Sequence, residues 1–220
     1  MIRSVQNGSW ARLFRAARSL IGQVNAEDLV IDEWTLGGGT AMMLQIDHRE
    51  SRDVDIFLTD PQLLALLDPA KRDFAFKLRL TGYEGDGSKF LKFFFEDIGE
   101  IDFIVGRIMT TAPTIVTMVE GENALLETIP EIIAKKIYYR GSSIKPRDIF
   151  DIAAAGEQHE AAVIEVLRNY REEGARTLLK IETLDAGFIA NAIAELTIRD
   201  KFKPVAQTAL QRAKEILRAG

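Results

Sequence analysis

The sequence predicts an α+β protein: a mixed sheet flanked by helices up to about residue 128, followed by a C-terminal helical bundle. Two observations carry this reading. Short β-prone runs broken by Gly, Asp and Pro fill the first part, and from Pro130 onward every segment has helical texture. A third is composition: 220 residues, 47% of them hydrophobic and none of them Cys, must hold together by core packing without staples. The division predicted is 1–128, an α/β half with an N-terminal helix, and 129–220, a helical half.

Each element has its own signal. Trp10, Leu13, Phe14, Ala17, Leu20, Ile21 and Val24 recur at three/four spacing, which predicts an amphipathic helix over 9–24. Residues 29–36 read as a short strand ended by Gly37-Gly38-Gly39, and 40–46 as a short helix with Thr40 near its start. Residues 53–59 alternate carboxylates with apolar residues, as a strand does. Asp60-Pro61 opens a helix reaching about Lys71. Two strands, 77–83 and 89–95, flank the turn-rich EGDGS, and another covers 100–105 after a tight turn at Asp97–Gly99. Residues 107–128 are ambiguous, with TIVTMV β-like. Helices are expected over 131–140, 147–155, 158–173, 184–196 and 205–219.

Composition excludes several functions. Without Cys there is no disulfide scaffold, thiol nucleophile or thiolate zinc site, and His48 and His159 alone cannot make a histidine-rich metal centre. No apolar run approaches the ~20 residues a membrane span needs. Arginines scattered through the first twenty residues do not suit a signal peptide, so the expectation is a soluble, cytoplasmic protein with no membrane partner. The net charge of −5 is uneven: residues 25–127 carry −11, whereas 1–24, 131–147 and 199–220 carry +4 each. An acidic stretch beside basic ones suits metal ions holding an anionic substrate, and equally suits a soluble globule.

The chemistry-bearing residues begin with Asp53 and Asp55. Two apart on a strand, they leave the same face with Cα atoms about 6.8 Å apart. Paired carboxylates repel unless a cation or a proton sits between them. Mg²⁺ prefers such hard oxygens, although a bare pair of this kind also describes a solvated strand face. A neighbouring strand would bring Asp102 beside Asp55, and three carboxylates can hold two metals. Gly37-Gly38-Gly39-Thr40, between strand and helix, offers backbone N–H groups to a phosphate or merely a tight turn. Arg49 can present a bidentate fork to phosphate and Ser51 a hydroxyl, or both belong to a charged loop. Lys135 and Arg140 project from neighbouring sectors of one helix. Asp148 and Asp151 share a face at i, i+3. They would orient those cations, act as a base, or form a salt-bridge network between helices.

Taken together, Leu36-Gly-Gly-Gly-Thr-Ala41, His48-Arg-Glu-Ser51 and Asp53-Val-Asp55-Ile-Phe57 resemble the signature of the AbiEii/AbiGii toxin family of nucleotidyltransferases, within the polymerase-β-like nucleotidyltransferase superfamily. Asp102 stands where that superfamily has its third carboxylate, Lys135–Arg140 resembles the family's KxxxxR, and Arg147–Asp151 its (K/R)DxxD. The glycine run is three long where two are usual, and the resemblance covers about residues 30–155. It implies a nucleotidyltransferase-like fold and transfer of an NMP from an NTP to an acceptor hydroxyl, using Mg²⁺ or Mn²⁺. The metal residues would be Asp53, Asp55 and Asp102, with Asp102 also helping to deprotonate the nucleophile. Gly38, Gly39, Thr40, Arg49, Ser51 and Arg140 would bind the nucleotide, and Lys135 and Asp148 would complete the catalytic set. It further implies a toxin paired with a cognate antitoxin protein, with tRNA or another RNA as acceptor, for which the Arg12/Arg15/Arg18 face and the 199–218 cluster would supply phosphate contacts. Two other readings stay open: a nucleotide-binding or protein-interaction module without turnover, and a phosphotransferase that moves the γ-phosphate.

Overall fold

A computed structural model describes residues 8–26 and 30–220, which fall into two compact units. The first takes the chain up to Leu44, then Ser51–Ile108 and Thr114–Glu127; the second takes Gln45–Glu50, Met109–Pro113 and Thr128–Gly220. Two short segments from the first half, Gln45–Glu50 and Met109–Pro113, count with the helices.

In the first unit α1 (Ser9–Val24) buries the whole predicted apolar stripe. Seven strands form one mixed sheet: β1 (Thr35–Gly37), β2 (Val54–Leu58), β3 (Leu80–Gly85), β4 (Phe90–Phe95), β5 (Gly99–Val105), β6 (Thr114–Val119) and β7 (Glu122–Glu127), in the order β3-β4-β5-β2-β1-β7-β6. β2 runs parallel to β5 and β1 parallel to β7, and the other pairs are antiparallel. α1 lies against β5 and β2. Two-residue alternation assigns the faces. Val54, Ile56 and Leu58 of β2, Leu91, Phe93 and Phe95 of β4, and Ile101 and Phe103 of β5 are buried, and Phe93 meets Phe103 edge-on with centroids 5.9 Å apart. Asp55, Lys92 and Asp102 stand on the alternate positions.

Several elements differ from expectation. The strand expected over 29–36 shortens to β1; Leu29 lies outside the described residues. Asn25 explains the rest, because its side chain accepts from the Val30 and Ile31 amides at 3.1 and 2.9 Å and donates to the Ile31 carbonyl, giving that backbone a partner other than a strand. The helix after Asp60 stops as α3 (Gln62–Leu67): Asp68 precedes Pro69 and takes an extended ψ of 115°. β3 begins at Leu80 instead of Lys77. The ambiguous 107–128 stretch resolves into the hairpin β6–β7, turned by Glu120 (φ 51°) and Gly121 (φ 85°). No loop separates β1 from α2 (Gly38–Ile46).

The second unit contains α4 (Ile129–Arg140), α5 (Pro146–Leu167), α6 (Arg171–Glu182), α7 (Ala186–Ala194) and α8 (Lys203–Ala219). α5 packs against α4, α7 and α8. It spans what the sequence divides at 156, with one non-helical residue, His159. Segment 47–50 is bound in by backbone hydrogen bonds: the Glu50 amide to the Thr197 carbonyl at 2.9 Å and the Arg199 amide to the His48 carbonyl at 3.0 Å. Glu131, fully buried, accepts from the Met109 amide at 3.0 Å and the Thr110 hydroxyl at 2.7 Å, which ties the 109–113 segment to α4. Among the described residues, no helix is long and apolar enough to cross a membrane.

Candidate active site

Strand register builds the first group. Lys92 of β4 faces Asp102 of β5, Asp102 faces Asp55 of β2, and Asp55 faces Gly37 of β1. Four strands thus bring a cation, two carboxylates and the glycine turn into one row, all on the same face. Gly38 begins α2 at φ +63°, and a Cβ there would lie 1.8 Å from Asp55 Oδ2. The Asp55 carboxylate therefore occupies the space a side chain at 38 would fill, beside the first backbone amides of α2. Burial and the neighbouring Asp55 push Asp102 up to about 7, Glu100 adds to the rise, and Lys92 opposes it. Asp102 Oδ1 is a buried oxygen with no hydrogen-bond partner.

These residues test the divalent cation implied by the motif. Asp55 and Asp102 are hard oxygen donors, they repel each other, and one of their oxygens is orphaned, so the pair fits a small hard cation. Asp53 is turned aside: the Glu100 amide donates to its Oδ1 at 3.2 Å. Among the described residues no group of three or more His, Asp or Glu side chains gathers as a metal site. The structure thus assembles two of the three expected carboxylates, with Asp53 beside them and held on the β5 backbone.

A second group lies wholly within the helical unit. Arg49 clasps Asp151 with Nε to Oδ1 at 2.7 Å and Nη2 to Oδ2 at 2.8 Å, and His48 Nε2 meets the same Oδ1 at 2.9 Å. Lys136 Nζ reaches Asp148 Oδ1 at 2.6 Å and Asp151 Oδ2 at 3.0 Å. His48, Asp148 and Asp151 are fully buried. Burial alone would raise Asp151, yet Arg49 and Lys136 hold it well below the usual carboxylate range. Burial likewise raises Asp148, and Lys136 more than offsets it. Burial lowers His48 despite its bond to Asp151, which keeps it neutral at pH 7.

The sequence profile described as "Nucleotidyl transferase AbiEii toxin, Type IV TA system" matches residues 23–216. The chain belongs to the AbiEii family of nucleotidyltransferase toxins. Its fold is similar to that of MenT4, a nucleotidyltransferase toxin of Mycobacterium tuberculosis H37Rv, at 13% identity and a TM-score of 0.58, over 96% of this chain and 86% of that one. A structure titled as a putative nucleotidyltransferase from H. pylori aligns over 96% of this chain and 94% of its own, at 16% identity and a TM-score of 0.48. No curated protein gives a significant match.

Within this AbiEii chain the remaining expected residues are placed as follows. Gly39 is half-buried at the first turn of α2. Thr40 is fully buried and its hydroxyl donates to the Asp53 carbonyl, so it secures the approach to β2 and does not present a hydroxyl to a phosphate. Ser51 is half-buried, with its amide against Met43 Sδ at 3.3 Å. The fork of Arg49, expected on phosphate, is engaged by Asp151 in this structure. Lys135 Nζ lies 3.4 Å from Glu131 Oε1, whereas Lys136, one position on, joins Asp148 and Asp151. Sequence reasoning missed Lys136; the signal was there, since a residue at 136 sits one helical turn before Arg140. Arg140 is partly exposed, 4.0 Å from Asp148 Oδ1. On the basic faces, Arg15 pairs with Glu120 and Arg18 with Glu122, and Arg212 and Arg218 pair with Glu160 and Glu182.

Proposed function

We propose that this AbiEii toxin moves an NMP from an NTP to an acceptor hydroxyl of an RNA, such as tRNA, in a reaction that depends on Mg²⁺ or Mn²⁺, and that a cognate antitoxin protein opposes it. The observation that carries the reading is the Asp55 carboxylate lying over Gly38 at the head of a helix and beside an Asp102 that resists ionisation. Backbone amides at Gly38–Thr40 bind phosphate oxygens, with Ser51 near the same turn. Asp55 and Asp102 would hold the cation, which when bound neutralises phosphate charge and favours in-line attack at the α-phosphorus. Asp102 would also help to deprotonate the attacking hydroxyl.

Incubation with Mg²⁺, bulk RNA and each of the four NTPs, labelled at α or at γ, tests this. The expected result is α-label on RNA, reduced to background by Asp55→Ala. γ-label on the acceptor would instead establish a phosphotransferase, and binding without transfer an inert nucleotide module.

A further inference from the structure

Lys92 belongs to the carboxylate row, and its position follows from register: on β4 it faces Asp102 across the antiparallel pair with β5. Its ammonium lies 2.8 Å from Glu100 Oε2 and 3.3 Å from Asp102 Oδ2. Phe94, two residues along the same face, places its ring centroid 6.0 Å from that nitrogen. The Lys92 side chain is 23% exposed. Asp102 therefore has one oxygen engaged by Lys92 and the other, Oδ1, without a partner. Two hard oxygens from adjacent acids, Glu100 and Asp102, form a seat of the kind a divalent ion would take, and an ammonium already fills it.

We infer that the Lys92 ammonium takes the place of a second divalent cation, so that the site holds a single ion between Asp55 and Asp102 Oδ1. The inference rests on the metal-dependent reading above and narrows it. It replaces the two-ion arrangement that three converging carboxylates imply with one ion and one tethered charge. Lys92 is accordingly a positioning residue. It fixes which oxygen of Asp102 faces the ion and supplies, on a strand, the positive charge that would otherwise have to be recruited from solution. Asp53 stands apart from this arrangement, its Oδ1 accepting from the Glu100 amide at 3.2 Å.

The full chain, titrated with Mn²⁺ alone and followed by the loss of the free-ion EPR signal, reads the stoichiometry without any turnover. Wild type is expected to bind one equivalent and Lys92→Arg one. Lys92→Met and Lys92→Gln, each checked by circular dichroism, are expected to bind two, the new one using the vacated Glu100 and Asp102 oxygens. Asp55→Asn should bind none. Two equivalents in wild type, or one in both neutral variants, would overturn the assignment of Lys92 while leaving the metal reading intact. A wild type that binds no Mn²⁺, or binds it as well as Asp55→Asn does, would overturn the metal reading and the inference with it.

Discussion

Asp102 holds a proton at neutral pH more readily than an ordinary carboxyl, because burial and Asp55 raise it to about 7 from 3.8. The folded protein thus binds more protons at this group than the unfolded chain does between those two values. Its contribution to stability therefore falls as pH climbs from 3.8 to about 7 and stays low above. Asp102→Asn removes that penalty. We expect the variant to lose transfer activity yet melt higher than wild type at pH 8 in the absence of metal, by about 2–4 °C for each kcal/mol relieved. The gap should close near pH 4, and thermal melts across that range read it directly; equal melting at pH 8 would mean the carboxyl is not strained. Of this row the sequence made Asp55 and its neighbour Asp102 legible, through period-two spacing and an expected adjacent strand, but not Lys92, whose place depends on the β4–β5 register. The fates of Thr40 and Arg49 were not legible either: their partners, Asp53 and Asp151, lie 13 and 102 residues away, and no local pattern encodes them.

Packing between helices depends on details of the same size. Gly141 closes α4, and a Cβ there would sit 2.2 Å from Thr177 Oγ1 of α6, a hydroxyl fixed by its bond to the Glu173 carbonyl at 2.7 Å. Gly141→Ala should destabilise by about 1–3 kcal/mol through overpacking. Thr177→Ala makes room, so the double variant should be less destabilised than the sum of the singles, a coupling measurable by urea denaturation. Additive effects would show that α4 and α6 adjust without strain. Elements with strong periodicity, such as α1 and the α8 helix, were readable because their apolar stripes are uninterrupted. α6 escaped in part because Glu172, Glu173, Arg176 and Lys180 leave it only Gly174, Thr177 and Ile181 to bury. β7 escaped because ENALLE carries acids at both ends and has helix-forming composition; its pairing with β6 and β1 decides its state.

Across the whole molecule the chain passes between the two units at 44/45, 50/51, 108/109, 113/114 and 127/128, so neither unit is a continuous stretch of sequence. This bears on Asp151, which is fully buried and depends on Arg49 and His48 from the 45–50 segment as well as on Lys136. A fragment of residues 128–220 would keep every helix of its unit after α3 and still lose two of those partners. Removing a partner from a buried ion pair costs roughly 3–5 kcal/mol, a large share of ordinary stability. We expect the fragment to lack dispersed amide NMR signals and a cooperative melt, while a fusion restoring residues 45–50 gains both; a well-folded bare fragment would refute the dependence. The row from Lys92 to Gly37 is similarly tied to global structure, since it exists only while three successive strand pairings keep their alignment. Sliding any one of them by a single position would turn half the row toward the core. Strand alignment and the assembly of this row are thus one event, so a chain that misaligns a single pairing loses the arrangement of Asp55, Asp102 and Lys92 together.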